Sequence, residues 1–302
     1  MNEHKSSKRI TVPVILERKR SEHKISCLTA YDVTFARLID AAGVDLILVG
    51  DSLGTVVQGH ETTLPVTLDE IIYHTQCVSR GVSRALLVAD MPFLSYQSSI
   101  EQAINSAGRV LKESGAAAVK LEGGIHLAAT IERLVQLDIP VMGHVGLTPQ
   151  SYHRMGGYKI QGKKDGGAVG ERERVLEDAL AVERAGAFAV VIEGVPAELA
   201  AEITEAISIP TIGIGAGPHC DGQILVMHDL LGLNPGFSPR FVKQYASLAQ
   251  PVIEAVRMYI AEVEGGSFPD VQHSFSSGSA LNPPKLAMGL RRGPRRTHLR
   301  RV

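Results

Sequence analysis

The sequence predicts an α/β fold, a (β/α)8 barrel, on three observations. Seven short apolar runs are rich in β-formers, helical patterns fill the gaps between them, and the 302 residues suit one barrel domain of about 250. The runs are ISCLTAYD from Ile25, DLILVGDS from Asp45, ALLVADMPF from Ala85, AAVKLEGG from Ala117, IPVMGHVG from Ile139, FAVVIEG from Phe188 and IPTIGIGAG from Ile209. They are continuous rather than alternating, as expected of parallel strands covered by helices. In the gaps, Phe35, Leu38, Ile39 and Ala42 recur at helical spacing. Thr67 with Glu70 makes a capping box ahead of Ile71 and Ile72, and Ser99 with Gln102 marks another helix start. Further helices are predicted at about 127–137, 171–185, 197–207 and 249–264.

The eighth strand is less direct. ILVM at 224–227 looks extended, but only about six residues separate it from the GIGAG turn, and parallel neighbours usually need a crossover of about a dozen. Residues 222–231 are therefore read as the seventh helix and FVKQYA from Phe241 as a short eighth strand. The segment 11–20 reads as a helix plugging the bottom of the barrel, and an open doubly wound sheet is the main alternative. Residues 1–275 are read as one catalytic barrel domain. Residues 276–302 read as a basic, low-complexity tail rich in Gly, Pro and Arg and expected to be disordered.

Composition narrows the function classes. The tail holds seven Lys or Arg and no acid, which leaves 24 basic against 32 acidic side chains on the rest of the chain. A nucleic-acid enzyme places its positive charge on the folded body, so no nucleic-acid partner is expected. No stretch approaches the roughly 18 apolar residues of a membrane span, and the opening MNEHKSSKRI lacks an apolar signal core, so the expected location is cytoplasmic. Cys27, Cys77 and Cys220 are scattered and form no CxxC pair, which argues against a disulfide framework and a thiolate zinc site. His60, His74, His219 and His228 show no two-histidine helix pattern either.

In a (β/α)8 barrel the working residues stand at the C-terminal ends of the strands. Here Asp51 ends the second run, Asp90 the third, Glu122 the fourth, His144 the fifth and Glu193 the sixth. One acid at a strand end is usually a cap or turn former. Three on successive strands, about 4.8 Å apart, would repel one another unless a cation lay between them. All-oxygen donors favour a hard ion, magnesium before calcium or zinc. Lys120 points to the same strand face as Glu122, either as a plain ion pair or as the partner of an anionic substrate or enolate. Position alone leaves His144 open between a core group, a ligand and a proton carrier. Glu193 stands two strands beyond the trio, where a general base facing a substrate belongs. The segment of more than 20 residues from His144 to the next helix reads as a lid, and GIGAG as a tight turn rather than a full dinucleotide fingerprint.

The motifs LTAYD, LVGDSLGTVVQGHETTLPVTLDEI, ADMPF, VKLEGG, GHVGLTPQS, GGYKIQG, EGVP, IGIGAG and DGQILVMHD follow one another in the order seen in ketopantoate hydroxymethyltransferases, which the chain resembles over about residues 8–274. The resemblance implies transfer of a one-carbon unit from 5,10-methylenetetrahydrofolate to 3-methyl-2-oxobutanoate, giving 2-dehydropantoate on the route to pantothenate and coenzyme A. It implies a Mg2+ site at Asp51, Asp90 and Glu122, contacts to the oxo acid from Asp51, Ser52, Asp90, Lys120 and His144, and Glu193 as proton acceptor toward a magnesium-stabilised enolate. It also implies a homo-oligomer, a decamer built from two pentameric rings. The tail beyond about Phe275 departs from the family pattern. A magnesium-dependent lyase or mutase of the phosphoenolpyruvate and isocitrate lyase barrels would share the acid cluster, but the KKCGH-like cysteine loop common there is absent. The remaining alternative, a silent barrel acting through its basic tail, sits poorly with an intact set of site residues.

Overall fold

Eight parallel strands close on themselves in sequence order, β1 to β8, with β8 pairing back to β1. The computed structural model describes residues 8–164, 167, 169–234, 236 and 239–276. The strands are β1 (Ile25–Thr29), β2 (Leu46–Val49), β3 (Leu86–Asp90), β4 (Ala118–Glu122), β5 (Val141–Gly146), β6 (Ala189–Glu193), β7 (Thr211–Ile214) and β8 (Gly222–Leu225). The helices are α1 (Val12–Arg20), α2 (Val33–Ala42), α3 (Leu53–Val56), α4 (Leu68–Ser79), α5 (Ile100–Ser114), α6 (Ala128–Gln136), α7 (Tyr152–Met155), α8 (Glu171–Arg184), α9 (Ala197–Ala206), α10 (Met227–Leu230) and α11 (Ala249–Glu264). The predicted capping box at Thr67 and Glu70 is present, and the Ser99 side chain caps α5 through the Gln102 N–H. Two compact units divide the chain, residues 1–249 with the barrel and residues 250–302. In the second, Phe268 packs against the rings of Tyr259 and His273.

Alternate residues of each strand face the barrel interior. Leu46, Leu48, Leu86, Val88, Ala118, Met142, Ala189, Val191, Ile212 and Ile224 form one buried apolar cluster there. Helix α1 closes its lower end: Ile10 and Ile15 join the cluster, as the sequence predicts for this segment. Polar contacts pin α1 to the strand entrances, with Arg18 on Asp45 at 2.7 Å before β2 and Lys19 on Asp221 at 2.9 Å before β8. Two or four residues further along the same strands lie Asp90, Lys120, Glu122, His144 and Glu193. Parity therefore turns all five inward above the apolar plug.

The sequence expectation for the end of the barrel is corrected. Residues 222–225 are the eighth strand, not part of a seventh helix, and FVKQYA from Phe241 is not a strand. The expected long crossover is unnecessary because β7 and β8 overlap by two register pairs only, Ile212 with Gly222 and Gly213 with Gln223. Gly222, the first residue of β8, lies level with Ile212, two residues before the end of β7, so the chain needs to double back only a short way. Gly215 and Gly217, at φ +60° and +80°, permit that reversal. Gly222 then enters between β1 and β7, where a Cβ would lie 2.5 Å from the Ile25 carbonyl oxygen.

Asp40, near the end of α2, ties that helix to the entrance of β3. Its carboxylate accepts hydrogen bonds from the N–H groups of Ser83, Arg84 and Ala85 and from the Ser83 hydroxyl. Burial alone would raise its pKa, but these bonds, led by Ala85, hold it below the ordinary carboxylate value. A depressed folded pKa contributes stability that is fully present above the unfolded value of about 4 and is lost as pH falls through the folded value. Asp40→Asn is accordingly expected to lower thermal stability at pH 7, with the gap from the unsubstituted protein closing as pH drops below about 4. A gap of constant size across that range, measured by thermal melts, would contradict the assignment.

Candidate functional site

The stagger of the barrel brings the inward polar residues into two adjoining rungs. Asp90 pairs in register with Lys120, and Glu122 with His144. One rung higher, Glu193 ends β6 opposite Gly146. Asp51 arrives differently, from the turn just after β2, where its backbone N–H donates to Asp90 Oδ2 at 3.1 Å. One carboxylate oxygen from each of Asp51, Asp90 and Glu122 lies within 4.8 Å of the others, and all three residues are buried.

The cations in this cluster are few. Lys120 Nζ sits 3.0 Å from Asp90 Oδ1 and 3.7 Å from Glu122 Oε1. It also lies 3.2 Å from His144 Nδ1, and the other ring nitrogen, Nε2, is 3.2 Å from Glu193 Oε2. Burial and the repulsion of Asp90 and Glu122 push the Asp51 carboxyl well above its usual range. Burial also raises Asp90, although Lys120 opposes it. Burial acts on Glu122 in the same direction, but Lys120, His144 and the Gln150 N–H outweigh it and hold Glu122 low. For His144, burial and the nearby ammonium oppose a charge, yet its contacts to Glu122 and Glu193 prevail and the pKa is pushed up to about 9. Four acidic side chains thus gather around one lysine and one histidine, an excess of acid that a divalent cation would offset.

The donor set fits such an ion. It is all oxygen, with no thiolate, and Glu122 Oε1 is buried without a hydrogen-bond donor of its own. Octahedral Mg2+ with bonds of about 2.1 Å sets adjacent ligand atoms about 3.0 Å apart and opposite ones about 4.2 Å apart, so the trio would draw together on binding it. Glu193 is set apart from the trio by access: its side chain is 17% exposed, against 2% for Glu122. It therefore meets whatever enters the mouth of the barrel.

All seven predicted residues lie at this end of the barrel, but they are not equally engaged. Ser52 comes in as the neighbour of Asp51, and its hydroxyl is hydrogen-bonded to the Tyr31 hydroxyl at 2.8 Å rather than to an acid. Sequence reasoning missed Tyr31, Tyr96 and Gln150. The Gln150 side chain donates to Asp51 Oδ2, and its backbone N–H donates to Glu122 Oε2, each at 2.9 Å. Tyr96 contacts both Gln150 and the Glu122 backbone. No strand-end rule finds these residues, since they sit in loops and are uncharged. The one available signal was Gln150's place in the long segment after His144. That segment inserts Gln150 into the cluster and fastens to the end of β6 by the Gln161 N–H on Gly194 O at 2.9 Å. Residues 165, 166 and 168 of it lie outside the described residues.

A closed (β/α)8 barrel with acids, a lysine and a histidine gathered at the strand C-termini defines a barrel enzyme with a centre able to hold a metal ion. Residues 9–271 match the sequence profile of ketopantoate hydroxymethyltransferase, and the chain belongs to that family of transferases. It is 60% identical to a 3-methyl-2-oxobutanoate hydroxymethyltransferase of Trichlorobacter lovleyi, over 89% of this chain and 99% of the relative. A protein of the same name from Pelobacter propionicus is 56% identical over 89% of this chain and 98% of its own length. A solved phosphonopyruvate hydrolase, bound to oxalate and Mg2+, superposes with a TM-score of 0.57 over 87% of this chain and 93% of that one. At 12% identity it shares the barrel and carries no argument about the reaction.

Because three buried like charges oppose folding when no cation is bound, Asp51→Asn is expected to raise the melting temperature of the metal-free protein. The same change should weaken Mn2+ binding at least about tenfold, since even indirect partners of a metal site are worth about 10- to 100-fold. Thermal melts in chelator and a Mn2+ titration followed by electron paramagnetic resonance check both. An unchanged Mn2+ affinity would remove Asp51 from the centre.

Proposed function

We propose that the chain transfers a one-carbon unit from 5,10-methylenetetrahydrofolate to 3-methyl-2-oxobutanoate, forming 2-dehydropantoate. The observation that carries this reading is the pairing of a buried cation-binding trio, Asp51, Asp90 and Glu122, with an accessible carboxylate, Glu193, held through His144. The names of the Trichlorobacter and Pelobacter relatives support the oxo-acid acceptor. The all-oxygen donors support Mg2+. Resemblance to the family supports the folate donor, the homodecamer and a place in the cytoplasm. Among the described residues no helix is long and apolar enough to cross a membrane.

Bound at the trio, the divalent cation supplies positive charge that draws in the carboxylate and keto oxygens of the oxo acid and favours negative charge beside the keto carbon. Lys120, held 3.0 Å from Asp90, adds a second positive group on the same side, and Ser52 offers a hydroxyl next to Asp51. Glu193 takes the proton from the carbon adjacent to the keto group. His144, 3.2 Å from Glu193 Oε2, orients that carboxylate and links it to the trio. One water adds to the folate methylene and both of its C–N bonds break, releasing tetrahydrofolate and formaldehyde. The electron pair on the substrate carbon attacks the formaldehyde carbon, and the resulting alkoxide takes up the proton held on Glu193 to leave the hydroxymethyl group. Burial of the cluster keeps competing water away and strengthens each of these charge contacts.

Incubating the purified protein with 3-methyl-2-oxobutanoate, Mg2+ and methylenetetrahydrofolate should yield 2-dehydropantoate. With the folate left out, deuterium should still exchange into the branched carbon of the oxo acid. Exchange without product would point to a different acceptor or donor, and the absence of both would sink the reading. Glu193→Gln should slow exchange by roughly 10²- to 10⁴-fold, the usual contribution of a general base, while leaving Mg2+ and oxo-acid binding in place. Exchange at the unsubstituted rate in that variant would refute Glu193 as the base.

A further inference from the structure

Each carboxylate of the trio has one oxygen occupied by the protein. Asp51 Oδ2 accepts from Gln150 Nε2 at 2.9 Å, Asp90 Oδ2 from the Asp51 backbone N–H at 3.1 Å, and Glu122 Oε2 from the Gln150 backbone N–H at 2.9 Å. Two of those three bonds come from one residue. The opposite oxygens differ: Glu122 Oε1 has no hydrogen-bond donor, and Asp90 Oδ1 meets only the Lys120 ammonium, at 3.0 Å. A carboxylate with one oxygen tied to a fixed N–H has only the other to give.

The Gln150 amide is itself locked. Its Nε2 faces two acceptors, Asp51 Oδ2 and the Met91 carbonyl oxygen at 2.9 Å. Its Oε1 faces two donors, the Tyr96 hydroxyl at 2.7 Å and Gln97 Nε2 at 3.0 Å. A flipped amide would set like against like on both sides. The Tyr96 hydroxyl has one proton. It goes to the closer acceptor, Gln150 Oε1, and the hydroxyl oxygen accepts from the Glu122 N–H at 3.1 Å. Tyr96 and Gln150 are both buried, so this bracket cannot swing out into solvent.

We propose that Gln150 is a positioning residue that makes Asp51 and Glu122 present one oxygen each, and thereby sets the site's preference for a small octahedral divalent cation over Ca2+. The physical basis is the different demands of the two ions: Mg2+ requires near-ideal octahedral geometry with short bonds, whereas Ca2+ accepts six to eight oxygens and readily takes both oxygens of a carboxylate. An amide that withholds the second oxygen penalises the larger ion. Gln150 acts through the carboxylates, which it touches, and it takes no part in proton transfer. The inference rests on the reading that the trio holds a divalent cation.

The test is a Mn2+ titration of the full-length protein by electron paramagnetic resonance, without substrate, with Mg2+ and Ca2+ as competitors. In the unsubstituted protein Mg2+ should displace Mn2+ at lower concentration than Ca2+ does. In Gln150→Ala, Mg2+ affinity should fall about 10- to 100-fold while Ca2+ affinity falls less, because the freed Asp51 carboxylate becomes bidentate while the backbone N–H of residue 150 still holds Glu122, so the Mg2+ over Ca2+ preference shrinks. Tyr96→Phe keeps the glutamine and its volume but removes one of the groups that lock the amide, and should shrink the preference in the same direction by a smaller factor. It carries the test alone if Gln150→Ala does not fold. A preference unchanged in the folded variants would overturn the proposal even if both affinities fell together, since that is what a purely structural glutamine would give. Failure of the unsubstituted protein to bind Mn2+ at all would instead overturn the cation reading of the trio, and this inference with it.

Discussion

The whole upper half of the barrel is organised around the mutual repulsion of three buried carboxylates. Asp51, Asp90 and Glu122 stand close enough to share one ion and are shielded from water, so their charges are neither diluted nor screened. A fold selected for stability alone would replace them with apolar residues of similar size. Here every neighbouring polar group instead moderates the conflict: Lys120 by charge, His144 by joining Glu122 to Glu193, and Gln150 by hydrogen bonds to two of the acids. The acidic side chains outnumber the basic ones here, and that excess favours a divalent cation at the trio.

The barrel creates this conflict through two regularities. Strand parity sends Asp90, Lys120, Glu122, His144 and Glu193 inward, each on the same face as apolar residues lower on its strand. Register then fixes which of them are level, Asp90 with Lys120 and Glu122 with His144. The lower half supplies rigidity. Ile10 and Ile15 complete the apolar filling, and partly buried ion pairs hold helix α1 across the strand entrances. Placing Asp90 and Glu122 on strands fixes them more precisely than loops of the same composition would.

These regularities also explain what the sequence reveals. Strands β1 to β7 were legible because each is a continuous apolar run, and five of the site residues were legible because they interrupt those runs at their ends. Strand β8 was not, since it is four residues long and carries Gly222 and Gln223 at its start. Its short return from β7 depends on the stagger of the closed barrel, which no local pattern encodes. Gln150, Tyr96 and Tyr31 were hidden for a related reason. They are uncharged, they lie between the main elements or at a strand exit, and they join the site only after the chain has folded. The proposed oxo acid and folate rest on family resemblance and on the names of relatives, because strand-end carboxylates point to a cation and say nothing of the groups on a substrate.

The central claim is that the three carboxylates converge to hold one divalent cation. Anomalous diffraction at the manganese edge from crystals grown with Mn2+ tests it most directly. The account predicts one strong peak at the C-terminal mouth of the barrel, within bonding distance of at least two of Asp51, Asp90 and Glu122. A peak at another site, or none among these three at saturating Mn2+, would contradict it.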